Sequence, residues 1–203
     1  TIAIFLYVGI EVSIQDFINK YMTSSFDKGG LGFDATIAGS VVGTYWFLML
    51  IGRMIGAAVG AKVSSKAMLT FVSSLGIILV LAAIFPPIGL QASMPVFRSD
   101  ISFGLNTIPM SIVFLVLCGL CTSVMWGGIF NLAVEGLGKY TESASGFFMV
   151  MVCGGGILPL IQGYFADWLG YINSYWVIVV ALVFLLYYAL AGYRNVNKDI
   201  PVT

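Results

Sequence analysis

Tyr7, Glu11 and Gln15 follow one another at four-residue spacing inside a long apolar run. At 100° per residue this spacing places a phenol, a carboxylate and an amide on one side of a helix, one turn apart. Together they can donate and accept several hydrogen bonds at once. Such groups are costly in hydrocarbon, and an ionisable residue inside a membrane helix points to function by default. The side they define reads as the lining of a solute pathway. The other reading is a buried polar contact that only fastens two helices together. Tyr45 and Trp46 lie near the middle of the next apolar run, where aromatic rings either stack on a ligand or fill core. Arg53, later in the same run, could snorkel to the interface or pair with an acid at a gate. Thr122 and Trp126 are one turn apart, and Asn131 is turned away from Trp126. Gly154-Gly155-Gly156 followed by Pro159 weakens a helix and frees backbone groups, which suits a bend or a close-packing site.

Composition states what kind of element must carry these residues. The chain is 60% hydrophobic and 9% charged, with mean hydropathy +1.02. Soluble domains are nearer half apolar and a quarter charged. Several runs reach the roughly 20 helical residues that cross a bilayer, so the expected class is an all-α, polytopic membrane protein. A β-barrel would show short alternating segments instead. Net charge is zero and no basic cluster suggests nucleic acid. With no His, and with Cys118 and Cys121 lacking a second pair, neither Ser–His chemistry nor a zinc site is expected. Cys118, Cys121 and Cys153 read as small packing residues. No catalytic residue, metal or cofactor is assigned, and an enzyme is not expected.

Six helices are expected, at about 2–22, 35–61, 67–84, 108–134, 143–165 and 171–192, with a polar tail over 193–203. Asp34 is a candidate N-cap for the second helix, and Asn106 or Thr107 for the fourth, with Pro109 in its first turn. Pro86-Pro87 ends the third helix, and 91–106 reads as a polar loop carrying Arg98 and Asp100. Gly52, Gly56 and Gly60, with Gly39 and Gly43 before them, form a close-packing stripe. The nearly all-apolar sixth helix reads as lipid-facing support. An even number of helices puts both ends on one side. Arg53, Lys62, Lys66, Lys139, Arg194 and Lys198 then share a side against Lys20, Lys28 and Arg98, which favours cytoplasmic ends. The absence of an initial Met leads us to expect further residues upstream.

Two stretches are familiar. One is Tyr7-Val8-Gly9-Ile10-Glu11-Val12-Ser13-Ile14. The other runs Ser123-Val124-Met125-Trp126-Gly127-Gly128-Ile129-Phe130-Asn131-Leu132-Ala133, then Gly136-Leu137-Gly138, Thr141, Ser145, Gly154-Gly155-Gly156, Pro159, Gly163 and Asp167. Their order and spacing resemble the fucose–galactose–glucose:proton symporter family of the major facilitator superfamily, and within it the L-fucose permease group. Gly52-Arg53-Met54-Ile55-Gly56 fits the same pattern. The resemblance covers essentially the whole chain, but only as helices seven to twelve. Where family members often have Pro-Thr, this chain has Gly127-Gly128.

The resemblance implies the C-terminal six-helix bundle of a twelve-helix transporter in the inner membrane, completed by an N-terminal half. It implies ion-coupled sugar symport by alternating access, with L-fucose, galactose or glucose as substrate and a proton as the favoured coupling cation. The family's proton-coupling carboxylates lie in the other half. Tyr7, Glu11, Gln15 and Asn131 are the expected hydrogen-bonding contacts to sugar, with Trp126 or Tyr45 against the ring. Arg53 is expected at a cytoplasmic gate, pairing with an acid of the other half. Gly154, Gly155, Gly156 and Pro159 are the expected flexing elements. A six-helix channel and a homodimeric half-transporter are the competing readings.

Overall fold

The computed structural model describes residues 2–85, 90–97 and 102–194. Pro86, Pro87, Arg98, Asp100 and nearly all of the expected tail, Lys198 included, lie outside the described residues. Among the described residues, six helical segments are long and apolar enough to cross a membrane: Ile2–Thr23, Ala35–Gly60, Ser65–Ile84, Met110–Val134, Gly138–Leu169 and Asn173–Gly192.

The first three segments are single helices, α1 (Ile2–Thr23), α2 (Ala35–Gly60) and α3 (Ser65–Ile84). Asp34 caps α2, its carboxylate accepting the Thr36 N–H at 2.8 Å. Ser64 caps α3 by accepting the Ala67 N–H, so α3 starts two residues earlier than the apolar pattern indicates. Each cap satisfies a first-turn donor that would otherwise be orphaned.

The later segments differ from the sequence expectation. The expected loop over 91–106 is instead, in its described residues, mostly strand. Strands β1 (Gln91–Phe97) and β2 (Phe103–Pro109) pair antiparallel, with Met94 opposite Asn106 and Val96 opposite Gly104. Met94, Val96, Gly104 and Ile108 are buried while Ser93, Pro95, Phe103, Leu105 and Thr107 are exposed, the period-2 alternation of a half-buried hairpin. Its far end is fastened to α2. The Phe97 amide donates to Thr44 Oγ1 at 2.8 Å, Phe97 stacks on Phe47 at 5.3 Å, and Phe103 meets both rings edge-on. Asn106 and Thr107 therefore sit in a strand, and Pro109 takes the cap position without a side-chain bond.

The fourth segment is interrupted, as α4 (Met110–Thr122) and α5 (Met125–Val134). Ser123 and Val124 form the break, and Ser123 Oγ donates to the Leu120 carbonyl at 2.6 Å. The fifth segment likewise splits into α6 (Thr141–Met151) and α7 (Gly154–Leu169). The sixth begins with a short 3₁₀ turn at Asn173–Tyr175, continues as α8 (Trp176–Tyr187), and ends in a π-helical turn over Tyr188–Gly192.

α1 is central, packing against α2, α4, α5, α7 and α8, while α3 packs on α4, α5 and α8. The core joins Ile4, Ile10, Ile14, Phe17 and Ile18 of α1 to Leu115 and Val116 of α4 and Ile178, Leu182 and Leu185 of α8. The sixth segment is thus more than lipid-facing support: Trp176, Val180, Val183, Tyr187 and Leu190 are exposed, but Tyr175, Ile178 and Leu185 are buried.

Small residues permit the close approaches. A Cβ on Gly9 would lie 2.5 Å from that of Leu158, and one on Gly154 would run into the Phe5 carbonyl. Gly52 and Gly56 of α2 receive Ser123 and Val124, the two residues of the break. Gly39, by contrast, faces open space. In a membrane such van der Waals contact replaces the hydrophobic effect as the cause of helix association.

Candidate functional site

Glu11 and Gln15 sit on the side of α1 that meets α2, and each finds a partner there. Glu11 Oε1 lies 3.9 Å from Arg53 Nη2, with the carboxylate 14% exposed and the guanidinium 57%. The same guanidinium nitrogen is 3.3 Å from Met49 Sδ. Arg53 is thus paired with an acid of its own bundle. Helical spacing had placed Arg53 on a face of α2 but could not say which face met Glu11. Because Arg53 turns to Glu11, it also leaves the set of charges that biases the helix ends.

Gln15 Oε1 accepts the Trp46 indole N–H at 3.2 Å. Trp46 is 42% exposed and meets the Tyr45 ring edge-on at 5.9 Å. Trp46 was absent from the expected contacts. Its signal was present, since Trp46, Leu50 and Arg53 at i, i+4 and i+7 share one helix stripe.

Tyr7 and Tyr45 are close enough to Glu11 to interact with it electrostatically. Both are buried, at 1% and 0% exposure. Tyr45 occupies the α1–α2–α4 junction, where its hydroxyl meets Thr122 Oγ1 at 3.1 Å and the Glu11 carbonyl at a long 3.5 Å. The Gly119 backbone accepts close contact with Tyr45. Tyr7 packs edge-on to Trp126, with ring centroids 6.0 Å apart. Trp126 itself is half-buried.

Asn131 is not brought to this group. Its amide donates to Ser65 Oγ at 3.3 Å, at the end of the bundle where Lys66 lies over the Tyr193 ring. Five residues beyond Trp126, it is about 7.5 Å further along the helix axis. The glycine triplet is not a bend in mid-helix either. The interruption falls at Val152–Cys153, and Gly154–Gly156 form the first turn of α7, with Pro159 inside that helix. Gly154 and Gly155 face Phe5, Val8 and Val12 of α1, so close packing accounts for them, while Gly156 meets open space.

Two other clefts lie apart from these residues. One of about 560 Å³ sits at the bundle end among Glu135, Tyr140, Phe148, Tyr188 and Arg194. Another of about 550 Å³ is an apolar groove among Leu6, Leu158, Phe165, Trp176 and Phe184. Among the described residues, no group of His, Cys, Asp and Glu side chains could hold a metal ion. The arrangement around Glu11 therefore offers charged and amide hydrogen-bonding groups beside two partly open indoles, inside membrane-spanning helices.

No protein-family model matches the chain. It is 28% identical over 194 residues to a glucose/galactose transporter of Brucella abortus (strain 2308), covering 96% of this chain and 42% of the relative. It is 30% identical over 199 residues to a putative glucose/galactose transporter of Helicobacter pylori (strain J99), covering 96% and 43%. The L-fucose-proton symporter of Escherichia coli K12 is 24% identical over 197 residues, covering 96% and 39%. The chain thus spans less than half the length of the curated relatives it matches. Among solved structures, it is similar to the major facilitator superfamily transporter FucP in its outward conformation, with TM-score 0.74, 18% identity, and 95% of this chain against 41% of that one. A variant of the E. coli fucose:proton symporter FucP gives TM-score 0.77 at 19% identity, covering 96% and 42%. A peptide transporter, POT, matches at TM-score 0.73 and 15% identity, over 94% and 36%. The fold is that of the C-terminal six-helix half of a major facilitator superfamily transporter.

Proposed function

We propose that this bundle is one half of an ion-coupled monosaccharide symporter that works by alternating access, with glucose, galactose or L-fucose as substrate. In a two-bundle transporter of this fold, substrate sits near the midplane between halves that rock about it. The observation that carries the reading is the Glu11–Arg53 pair inside membrane-spanning helices, with Gln15 one turn from Glu11 and Trp126 half-buried beside Tyr7. A carboxylate and a guanidinium there supply acceptors and donors to sugar hydroxyls, and indole faces suit the apolar C–H face of a pyranose. The names of the relatives support the same substrate class. They are transporters, which weighs against the channel reading.

An N-terminal six-helix half completes the site and carries the coupling carboxylates, and a proton is the favoured cation. The segment lies in the inner membrane with both ends cytoplasmic. Gly156 and Pro159, together with the break at Val152–Cys153, are the elements that flex, while Gly154 and Gly155 hold α7 against α1.

The test is sugar counterflow by the full-length transporter in proteoliposomes, with L-fucose, D-galactose, D-glucose and a non-sugar control. Counterflow needs no ion gradient, so it isolates recognition from coupling. Exchange of one of these sugars that Glu11→Gln abolishes supports the reading. Folded protein that exchanges none of them overturns it.

A further inference from the structure

We infer that Trp46 is the platform on which the sugar ring stacks, and that Gln15 is its positioning residue. The inference rests on the sugar-transport reading above and deepens it by naming a specificity-determining residue.

Four observations converge. Trp46 presents 42% of its surface, whereas Tyr7 and Tyr45, the other aromatic residues beside Glu11 on α1 and α2, are buried. Its indole N–H donates to Gln15 Oε1 at 3.2 Å, which fixes the orientation of the ring and leaves its π-face as the surface it can offer to a ligand. The Tyr45 ring meets it edge-on at 84°, bracing the ring from the inside of the bundle. Trp46 also shares its helix stripe with Leu50 and Arg53, both exposed, and Arg53 pairs with Glu11.

The polar atoms of this stripe all turn toward the polar side of α1. A lipid-facing stripe would instead carry its charge to a helix end. Gln15 and Glu11 are about one turn apart, about 6 Å along the axis. The indole at the level of Gln15 and the ion pair at the level of Glu11 are therefore spaced to take the C–H face and the hydroxyls of one pyranose ring. A ring platform held by a hydrogen bond and an edge contact loses little freedom on binding, which favours affinity.

The experiment uses the full-length transporter with its exposed cysteines, Cys153 included, replaced. Trp46→Leu should raise the half-saturating sugar concentration in counterflow by about tenfold. Trp46→Phe, which keeps a smaller π-face, should raise it by about threefold or less. Gln15→Leu should raise it while leaving the maximal exchange rate near wild type. Independently, Leu50→Cys should react with a water-soluble maleimide in intact vesicles, and the exchanged sugar should slow that reaction. An unchanged half-saturation in Trp46→Leu, or Leu50→Cys that resists the reagent or gains no protection from sugar, overturns the platform while leaving sugar transport intact. If Trp46→Leu does not insert, the labelling of Leu50→Cys decides the matter. A wild-type protein that exchanges no sugar overturns both the platform and the reading on which it rests.

Discussion

Glu11 and Arg53 face each other across the α1–α2 seam, 3.9 Å apart, with the acid sheltered and the base half open. This pairing ties the charged centre of the bundle to itself. Lone charges in a membrane span are strongly unfavourable, and pairing is the usual remedy. The distance is long for a hydrogen-bonded pair, so the two groups attract without being locked together.

A double-mutant cycle should expose that attraction. Glu11→Gln and Arg53→Gln should each lower the melting temperature of the purified transporter, and the double variant should lose less than the sum. Because Arg53 is more than half exposed, the coupling should be modest, about 0.5–1 kcal/mol. Additive losses would mean that the pair contributes nothing to the fold.

The contact between α1 and α7 predicts two opposite outcomes within three residues. Gly154→Ala forces a Cβ against the Phe5 carbonyl and should destabilise the bundle by about 1–3 kcal/mol. Gly156→Ala meets open space and should leave the melting temperature unchanged or slightly raised. Any fall in exchange rate in Gly156→Ala would then report lost flexibility. An unchanged rate would remove Gly156 from the flexing elements.

Tyr45→Phe should cost about 1 kcal/mol, the net worth of a buried hydroxyl bond. Thr122→Val should cost a similar amount, and the two losses should not add, since both break the same 3.1 Å contact. Half-saturation for sugar should stay within about twofold of wild type in both variants, which separates Tyr45 from the exposed Trp46 beside it.

The cap of α2 predicts a pH dependence outside the membrane. Hydrogen bonds from Thr36, through its hydroxyl and its backbone N–H, hold the Asp34 carboxyl below its ordinary range. A depressed value means the cap contributes fully above the ordinary carboxylate pKa and is lost as pH falls through the lower folded value. Protection of the Thr36 amide from hydrogen exchange should drop in that acid window. Asp34→Asn, whose amide oxygen remains an acceptor, should remove the dependence.

Much of this was legible because membrane helices announce themselves by length. Glu11, Gln15 and Trp126 stood out as candidates because polar or indole groups in apolar runs need a reason. What spacing could not supply was azimuth, the direction each face takes in the bundle. Hence spacing left Arg53 without its partner Glu11, and did not show that Tyr45 is buried beside the exposed Trp46 or that Asn131 bonds to Ser65, away from Glu11. The hairpin was hidden because Pro95 and Gly104 argue against strands, although Met94, Val96, Gly104 and Ile108 turn inward with the period of a strand. The break at Ser123–Val124 left no trace, since neither residue is a helix breaker. It is fixed by close contact with Gly52 and Gly56 on another helix.

Two hydroxyls reach the spine of α1 from different neighbours. Tyr45 of α2 donates to the Glu11 carbonyl at 3.5 Å, and Tyr175, in the turn before α8, donates to the Ile14 carbonyl at 3.0 Å. Keyed at two points three residues apart, α1 behaves as a shaft that cannot roll about its own axis without shearing both keys. Tilting or translating this shaft together with its neighbours would keep both keys and hold the Glu11 carboxylate at a constant bearing to the rest of the bundle.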